Sequence, residues 1–230
     1  MTAAAATLSS PRMISILDYG LGNLRSVQKA FERLGFDARL VTEIGDPGDG
    51  LLVLPGVGNF ADAMAKLHAL GLVGPLKEQA AAGRPLLGVC LGMQLLFDAS
   101  DEDADGPAGT PGLGLIPGRV VALPGGTDAR GRRLKVPQMG WNTLRFARGP
   151  VADRLAEAAR SAGSDDPAVY FVHGYHAKPE DPADALATVD HGGEVVAIAG
   201  RANVLGMQFH PEKSQAVGLA LLKAAVGCLA

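Results

Sequence analysis

The stretch LLGVCLGMQLLF, residues Leu86 to Phe97, joins a short apolar run to a helix-like segment through a cysteine set between glycines. Leu86 to Val89 is brief and uniformly apolar, which predicts a strand buried on both faces. Gly88-Val89-Cys90-Leu91-Gly92 then has the Gly-x-nucleophile-x-Gly form of a tight strand-to-helix turn, and MQLLF predicts the start of the helix. A residue at the apex of such a turn adopts a strained backbone, and neighbours without a Cβ let strand and helix pack closely around it. The helix N-terminus favours negative charge on the sulfur. Cys90 therefore reads as a nucleophile rather than an inert core thiol.

Upstream of this turn, short apolar runs alternate with amphipathic segments. Met13 to Leu17 (MISIL) predicts a buried strand, and Leu24, Val27, Phe31 and Leu34 recur at helical spacing between Asn23 as N-cap and Gly35 as stop. Strands are expected over Ala38 to Val41 and Leu51 to Leu54, and helices over Asp62 to Leu70 and Leu72 to Ala82. Crossover helices hide both faces of a parallel sheet from water, so the pattern implies the doubly wound α/β class, with a mostly parallel central sheet flanked by helices. Loops at the C-terminal strand ends form the usual site in this class, and Asp18-Tyr19-Gly20, Pro55-Gly56-Val57-Gly58 and Cys90 all fall there.

Downstream the pattern changes. Asp98 to Gly114 is acidic and rich in Gly and Pro, and the strand-like pieces that follow have few helices between them. They are Val120 to Leu123, Asn142 to Phe146, Val169 to Val172, Leu186 to Val189, Val195 to Ala199 and Val204 to Phe209. A mixed or antiparallel extension of the sheet is expected, with a hairpin turn at Asp190-His191-Gly192-Gly193 and a closing helix from Ser214 to Leu229. Residues 1–12 read as an unstructured extension and 13–230 as one domain.

The composition narrows the functional classes. A net charge of -3 over 230 residues provides no field to gather nucleic acid or an anionic membrane, and no apolar run reaches the roughly 18 residues of a membrane span. Two cysteines are too few for a disulfide framework, which points to a reducing, cytoplasmic setting. Cys228 lies among apolar residues of the last helix and reads as packing.

A thiolate nucleophile needs a base that can return a proton to the leaving group. In Gln208-Phe209-His210-Pro211-Glu212 the proline pushes His210 toward extended backbone, so His210 and Glu212 project to one side. Glu212 then fixes the imidazole tautomer, completing a nucleophile, base and orienter set. A backbone N–H of the Pro55-Gly56-Val57-Gly58 turn, which otherwise reads as an ordinary Gly-rich turn, can face outward as one oxyanion donor, and the N–H of Leu91, just after the nucleophile, is the natural second. Gln94, one helical turn past Cys90, is placed to bond a substrate amide or carboxylate. His173 and His176 have no third ligand nearby, so neither metal nor cofactor is expected. The basic loop Arg130 to Lys135 reads as a solvated face or a partner contact.

Six segments, DYGLGNLRSV (18–27), LPGVGNFADAM (54–64), GVCLGMQLLF (88–97), VPQMGWN (136–142), YFVHGYH (170–176) and GMQFHPEKSQ (206–215), stand in the order found in one family. On them the chain resembles the glutaminase subunits of imidazole glycerol phosphate synthases, a branch of the class I glutamine amidotransferases. The Cys-Leu-Gly-Met-Gln and Phe-His-Pro-Glu pieces are shared across class I, whereas Asp-Tyr-Gly-x-Gly-Asn, Met-Gly-Trp-Asn and Pro-Glu-Lys-Ser-Gln point to this branch.

The resemblance implies that Cys90 attacks the side-chain amide of L-glutamine, that His210 protonates the departing ammonia, and that water releases glutamate from a thioester. It implies oxyanion N–H groups from Val57 and Leu91, made available when the Pro55-Gly56-Val57-Gly58 peptide flips in response to the partner, and glutamine held by Gly58, Gln94, His173, Gly174 and Tyr175. It further implies a heterodimer with a cyclase subunit that takes the ammonia to make imidazole glycerol phosphate and an aminoimidazole carboxamide ribotide in histidine biosynthesis. Asn23, Trp141 and Lys213 fall in the segments that resemble the face and hinge contacting that cyclase. Two departures stand out: Gln138 where the family more often has His, and Gly174-Tyr175-His176 in place of Ser-Tyr-Tyr. Rival readings are the amidotransferase subunits of anthranilate or pyridoxal phosphate synthesis, which the flanking motifs disfavour, and a silent scaffold, which the intact Cys90, His210 and Glu212 set disfavours.

Overall fold

The computed structural model describes residues 13–45, 50–104, 106–127, 131, 133–163 and 165–229. The expected extension over residues 1–12, together with Arg130 and Arg132 of the basic loop, lies outside the described residues. The first half runs β1 (Met13–Leu17), α1 (Leu24–Arg33), β2 (Asp37–Val41), β3 (Leu51–Gly56), α2 (Phe60–Ala69), α3 (Val73–Ala81), β4 (Leu86–Cys90) and α4 (Leu91–Gln94). There follow β5 (Phe97–Ser100), β6 (Thr110–Pro111), β7 (Ile116–Ala122), β8 (Gln138–Thr143), β9 (Arg145–Phe146), α5 (Pro150–Ser161) and β10 (Ala168–His173). The chain closes with β11 (Tyr175–Pro179), β12 (Ala185–Asp190), β13 (Glu194–Arg201), β14 (Val204–Met207) and α6 (Gln215–Leu229).

Eight strands form the main sheet in the order β2-β1-β3-β4-β14-β13-β12-β9. β2, β1, β3, β4 and β14 pair in parallel, and β13, β12 and β9 extend the sheet antiparallel. The doubly wound sheet with an antiparallel extension is therefore the observed architecture. Its strands sort their side chains by the two-residue period: Ile14, Ile16, Leu51, Val53, Leu87 and Val89 enter one core, while Leu17, Leu52, Leu54 and Leu86 enter the other. Because both faces are covered, a slip of one residue would exchange the two cores wholesale, so the apolar pattern pins the register.

Several expectations need correction. The helix after Cys90 is one turn only, Leu91–Gln94, and Phe97 already belongs to β5. The field of a full helix behind the sulfur is thereby reduced to the N–H groups of a single turn. Asn23 occupies the N-cap of α1 through its carbonyl, which accepts from Ser26 and Val27 N–H, but its side chain makes no capping bond. The strand expected over Asn142 to Phe146 is two strands in different sheets, parted at buried Leu144, whose N–H goes to the Pro167 carbonyl. Helix α5 and strand β11 were not anticipated. The buried face of α5 is Ala152, Leu155, Ala156 and Ala159, largely alanine and low in contrast, and β11 owes its strand state to pairing with β7. A four-stranded sheet, β11-β7-β5-β6, and a two-stranded one, β10-β8, thus accompany the main sheet among the described residues.

Candidate functional site

Cys90 ends β4 with φ 56° and ψ -116°, a left-handed conformation that a non-glycine residue holds only under constraint. The flanking glycines supply that constraint by steric exclusion. A Cβ on Gly88 would stand 2.6 Å from the Gly92 carbonyl oxygen, and one on Gly92 would collide with the Leu54 carbonyl oxygen of β3. β3, β4 and α4 meet at backbone contact here, and the sulfur is thrust toward the C-terminal edge of the sheet.

His210 follows β14, the other neighbour of β4. Its N–H donates to the Tyr170 carbonyl at 3.0 Å, and its own carbonyl accepts from the Ser214 hydroxyl at 2.7 Å. Ser214 Oγ also accepts from Tyr170 N–H at 2.9 Å, so one fully buried hydroxyl ties His210 to β10. Ser214 is a positioning residue that the sequence reading passed over; its signal was a serine four residues beyond a histidine, bonding back along the chain.

His210 Nδ1 lies 2.9 Å from Glu212 Oε1, with both side chains buried. Burial opposes a charge on this imidazole, but hydrogen bonding to Cys90 and to Glu212, with the negative charge of each, outweighs it and pushes His210 up to about 9. Nδ1 is thus fixed toward Glu212 and the other ring nitrogen is left for the sulfur.

Cys90 and His210 open into a cleft of about 230 Å³. Val57, Gly58, Leu91, Gln94, His173, Gly174, Tyr175 and Lys213 also line it, so ten of the residues singled out from sequence converge on one cavity. Glu212 stands behind His210 rather than in the lining. Asn23 and Trp141 lie elsewhere: Asn23 at the head of α1, and half-exposed Trp141 on β8, edge-on to Tyr170 at 5.9 Å and lining a separate groove with Ser214 and Gln215.

Two lining residues, Glu102 and Val172, were not anticipated. Burial raises the Glu102 carboxyl above its ordinary range, although its Oε2 accepts from Phe60 N–H at 2.8 Å at the start of α2. Within a run of acidic residues Glu102 looked like any solvated carboxylate. Only the folding of its loop onto α2 turns it inward.

The polar wall of the cleft is a chain of committed bonds. Gln94 Nε2 donates to the Tyr175 carbonyl and to Gln208 Oε1, each at 2.9 Å. Its two amide hydrogens are spent, so Gln94 offers a ligand only an acceptor, and the expectation that it meets an amide or carboxylate narrows to an N–H partner. His173 Nδ1 is 2.8 Å from the Tyr175 carbonyl and Nε2 is 3.1 Å from the Gln138 side chain. Tyr175's carbonyl only accepts, so Nδ1 carries the proton of the neutral ring, and Gln138 must turn its amide nitrogen toward Nε2. The Tyr175 carbonyl fixes the His173 tautomer, and Gln138, the departure from the family pattern, backs the other ring nitrogen.

Burial, the largest effect, drives His173 down to about 4 against the bond to Tyr175. Between pH 6.5 and about 4 the unfolded chain binds a proton here that the folded chain refuses, so stability is full above pH 6.5 and falls as pH drops through this window. The expected loss is on the order of 3 kcal/mol. Urea unfolding at pH 7 and pH 4.5 should show it, and His173→Gln should flatten the difference; an equal loss in both proteins would exclude His173 as its source.

The sequence profile of the class-I glutamine amidotransferases matches residues 15–224. An imidazole glycerol phosphate synthase subunit HisH from Syntrophotalea carbinolica is 47% identical over 212 residues, covering 92% of this chain and 98% of that protein. The subunit of the same name from Geobacillus kaustophilus is 48% identical over 216 residues, covering 94% and 96%. Among solved structures, a glutamine amidotransferase superposes with a TM-score of 0.64 at 19% identity over 92% of this chain and 98% of its own, and PurLQS from Thermotoga maritima with 0.64 at 19% over 96% and 100%. At that identity these two speak for the fold alone. With the profile spanning nearly the whole chain and full-length relatives near half identity, the chain belongs to the class-I glutamine amidotransferases, among the HisH subunits of imidazole glycerol phosphate synthase.

Proposed function

We propose that this chain is the glutaminase subunit of imidazole glycerol phosphate synthase, hydrolysing L-glutamine to glutamate and ammonia at Cys90 and passing the ammonia to a cyclase subunit. The observation that carries the reading is Cys90 at a left-handed apex, sharing one cleft with a His210 that Glu212 orients.

Cys90 Sγ attacks the carboxamide carbon, and the negative oxygen that forms is met by the N–H groups of Leu91 and Val57. As the C–N bond breaks, ammonia takes the proton from His210. His210 then draws a proton from water, whose oxygen attacks the thioester, and glutamate leaves with Cys90 restored. Glu212 acts by holding the ring and stabilising its positive form. The acceptor oxygen of Gln94 and the carboxylate of Glu102 suit the α-ammonium of the substrate, while Gly58, His173, Gly174 and Tyr175 form the wall against which the rest of the molecule lies.

What the fold leaves uncovered supports a surface for the cyclase. Val136, Met139 and Trp141 are exposed at 50%, 68% and 49%, and Met139 stands opposite Val172 of the cleft wall in the β8–β10 ladder. An apolar strip that runs on from the cleft suits a partner seated over its mouth, where Lys213 would also meet it. Such a partner receives ammonia before water protonates it, and uses it to form imidazole glycerol phosphate and the aminoimidazole carboxamide ribotide of histidine biosynthesis. No described helix is long and apolar enough to cross a membrane, and the cytoplasm is the compartment we assign.

Glutaminase turnover with and without the cyclase subunit and its ribonucleotide substrate tests the reading. A rise of about a hundredfold or more on adding both is expected, roughly the weight of one oxyanion donor brought into place. Equal rates would remove the coupling to a cyclase.

A further inference from the structure

The Tyr19 side chain is 1% exposed, and its hydroxyl has no hydrogen-bond partner among the described residues. Phenylalanine would pack as well without an orphaned polar atom, so the oxygen calls for a use in another state of the site.

Its position supplies one. Tyr19 lies in the loop after β1, and β1 flanks β3 on the side opposite β4. A Cβ on Gly56 would stand 2.8 Å from the Tyr19 hydroxyl, so the phenol reaches the last residue of β3. On the β4 side, Leu52 N–H bonds to the Pro85 carbonyl at 2.9 Å, and the parallel register continues to Gly56 opposite Cys90. That alternation, carried two residues at a time from Leu52 through Leu54, directs the Gly56 carbonyl at the Leu91 N–H. One of the two proposed oxyanion donors is then engaged by the strand itself.

The flip of the Gly56–Val57 peptide that the family resemblance implies frees it. The N–H and C=O of one planar peptide point opposite ways, so as the Val57 N–H swings to the sulfur side, the Gly56 carbonyl swings toward β1. There it enters a buried region and needs a donor.

We propose that Tyr19 is a positioning residue whose hydroxyl donates to the Gly56 carbonyl once the Gly56–Val57 peptide has turned to offer the Val57 N–H to the oxyanion. This rests on the reading of Val57 and Leu91 as the oxyanion donors. Burial, and then the nearby negative charge of Cys90, raise the Tyr19 phenol well above its ordinary range, which keeps it a donor at every working pH. Gly56 suits the movement because a side chain there would also meet Gly92 N at 2.9 Å.

The test is Tyr19→Phe in the complex with the cyclase subunit and its ribonucleotide substrate. Glutaminase kcat should fall about tenfold or more while KM stays within about twofold, as for a contact made only in the transition state. Alkylation of Cys90 by iodoacetamide should keep its rate, and the melting temperature should hold or rise. A kcat within twofold of wild type would overturn the proposal. So would a lower melting temperature, since an oxygen with no partner at rest cannot stabilise the resting fold, and so would a matching loss of alkylation, which would assign the hydroxyl to the thiol. Cys90→Ala in the same assay isolates the underlying reading: retained turnover there sinks the nucleophile itself, whatever Tyr19→Phe does.

Discussion

Cys90→Ala is expected to lower glutamine hydrolysis by the assembled complex by at least about 10⁴-fold, since removal of the nucleophile from such a set leaves only the contribution of binding and oxyanion donors. Assembly should persist. Cys90 is only 6% exposed and sits within the cleft, whereas the strip proposed for the cyclase is formed by Val136, Met139 and Trp141. Alanine keeps the Cβ and relieves nothing in the φ 56° backbone, so the turn keeps its shape. Glutamate release measured beside co-purification with the cyclase separates loss of chemistry from loss of fold. Turnover above about 1% of wild type, with the complex intact, would exclude Cys90 as the attacking atom, because no other cysteine lies at the cleft.

The second large effect belongs to Gly92→Ala. The added methyl is driven into the Leu54 carbonyl, with the Leu54 carbonyl carbon at 2.8 Å and that of Pro55 at 3.3 Å, all backbone of a central strand. No rotamer relieves a backbone collision, so β3 must part from α4, and both flank Cys90. The loss of stability should be at least about 3 kcal/mol, the range of severe core overpacking. Gly227→Ala serves as its control, since nothing stands within 4 Å of a Cβ there and alanine favours the α6 helix. Urea midpoints should fall sharply for the first and hold or rise for the second. A Gly92→Ala protein as stable as wild type would show that the turn is looser than its geometry.

What could be read early and what could not divide along physical lines. The parallel half was legible because a strand buried on both faces has to be almost continuously apolar, as LLVL and LLGV are and as MISIL is but for Ser15, whose hydroxyl accepts from Arg84, and because each crossover helix shows one apolar stripe. The second half hid α5, whose buried face is mostly alanine, and β11, whose strand state comes from β7 rather than from its own residues. The length of α4 was misjudged for a related reason. MQLLF has the composition of a helix, but Leu95, Leu96 and Phe97 are fully buried where the chain enters the four-stranded sheet, and that burial overrides helical propensity after one turn.

At the cleft, the sequence by itself determined which chemistry was present: a cysteine flanked by glycines whose spacing dictates a strained turn, and a histidine held extended by Pro211 beside a carboxylate two residues on. Those facts are local, set by backbone sterics over a few residues. Tertiary structure alone decided how the remaining groups meet. It brought Glu102 across from the acidic loop, consumed both amide hydrogens of Gln94, set Gln138 behind His173, and left the Tyr19 hydroxyl buried and unpartnered beside Gly56. Each of these depends on residues far apart in the chain that share one hydrogen bond or one van der Waals contact. No spacing in a sequence records such a meeting, because it is fixed by which distant strands pair and which loops fold over the cleft, as where His173 faces Gln138 in the β8–β10 ladder.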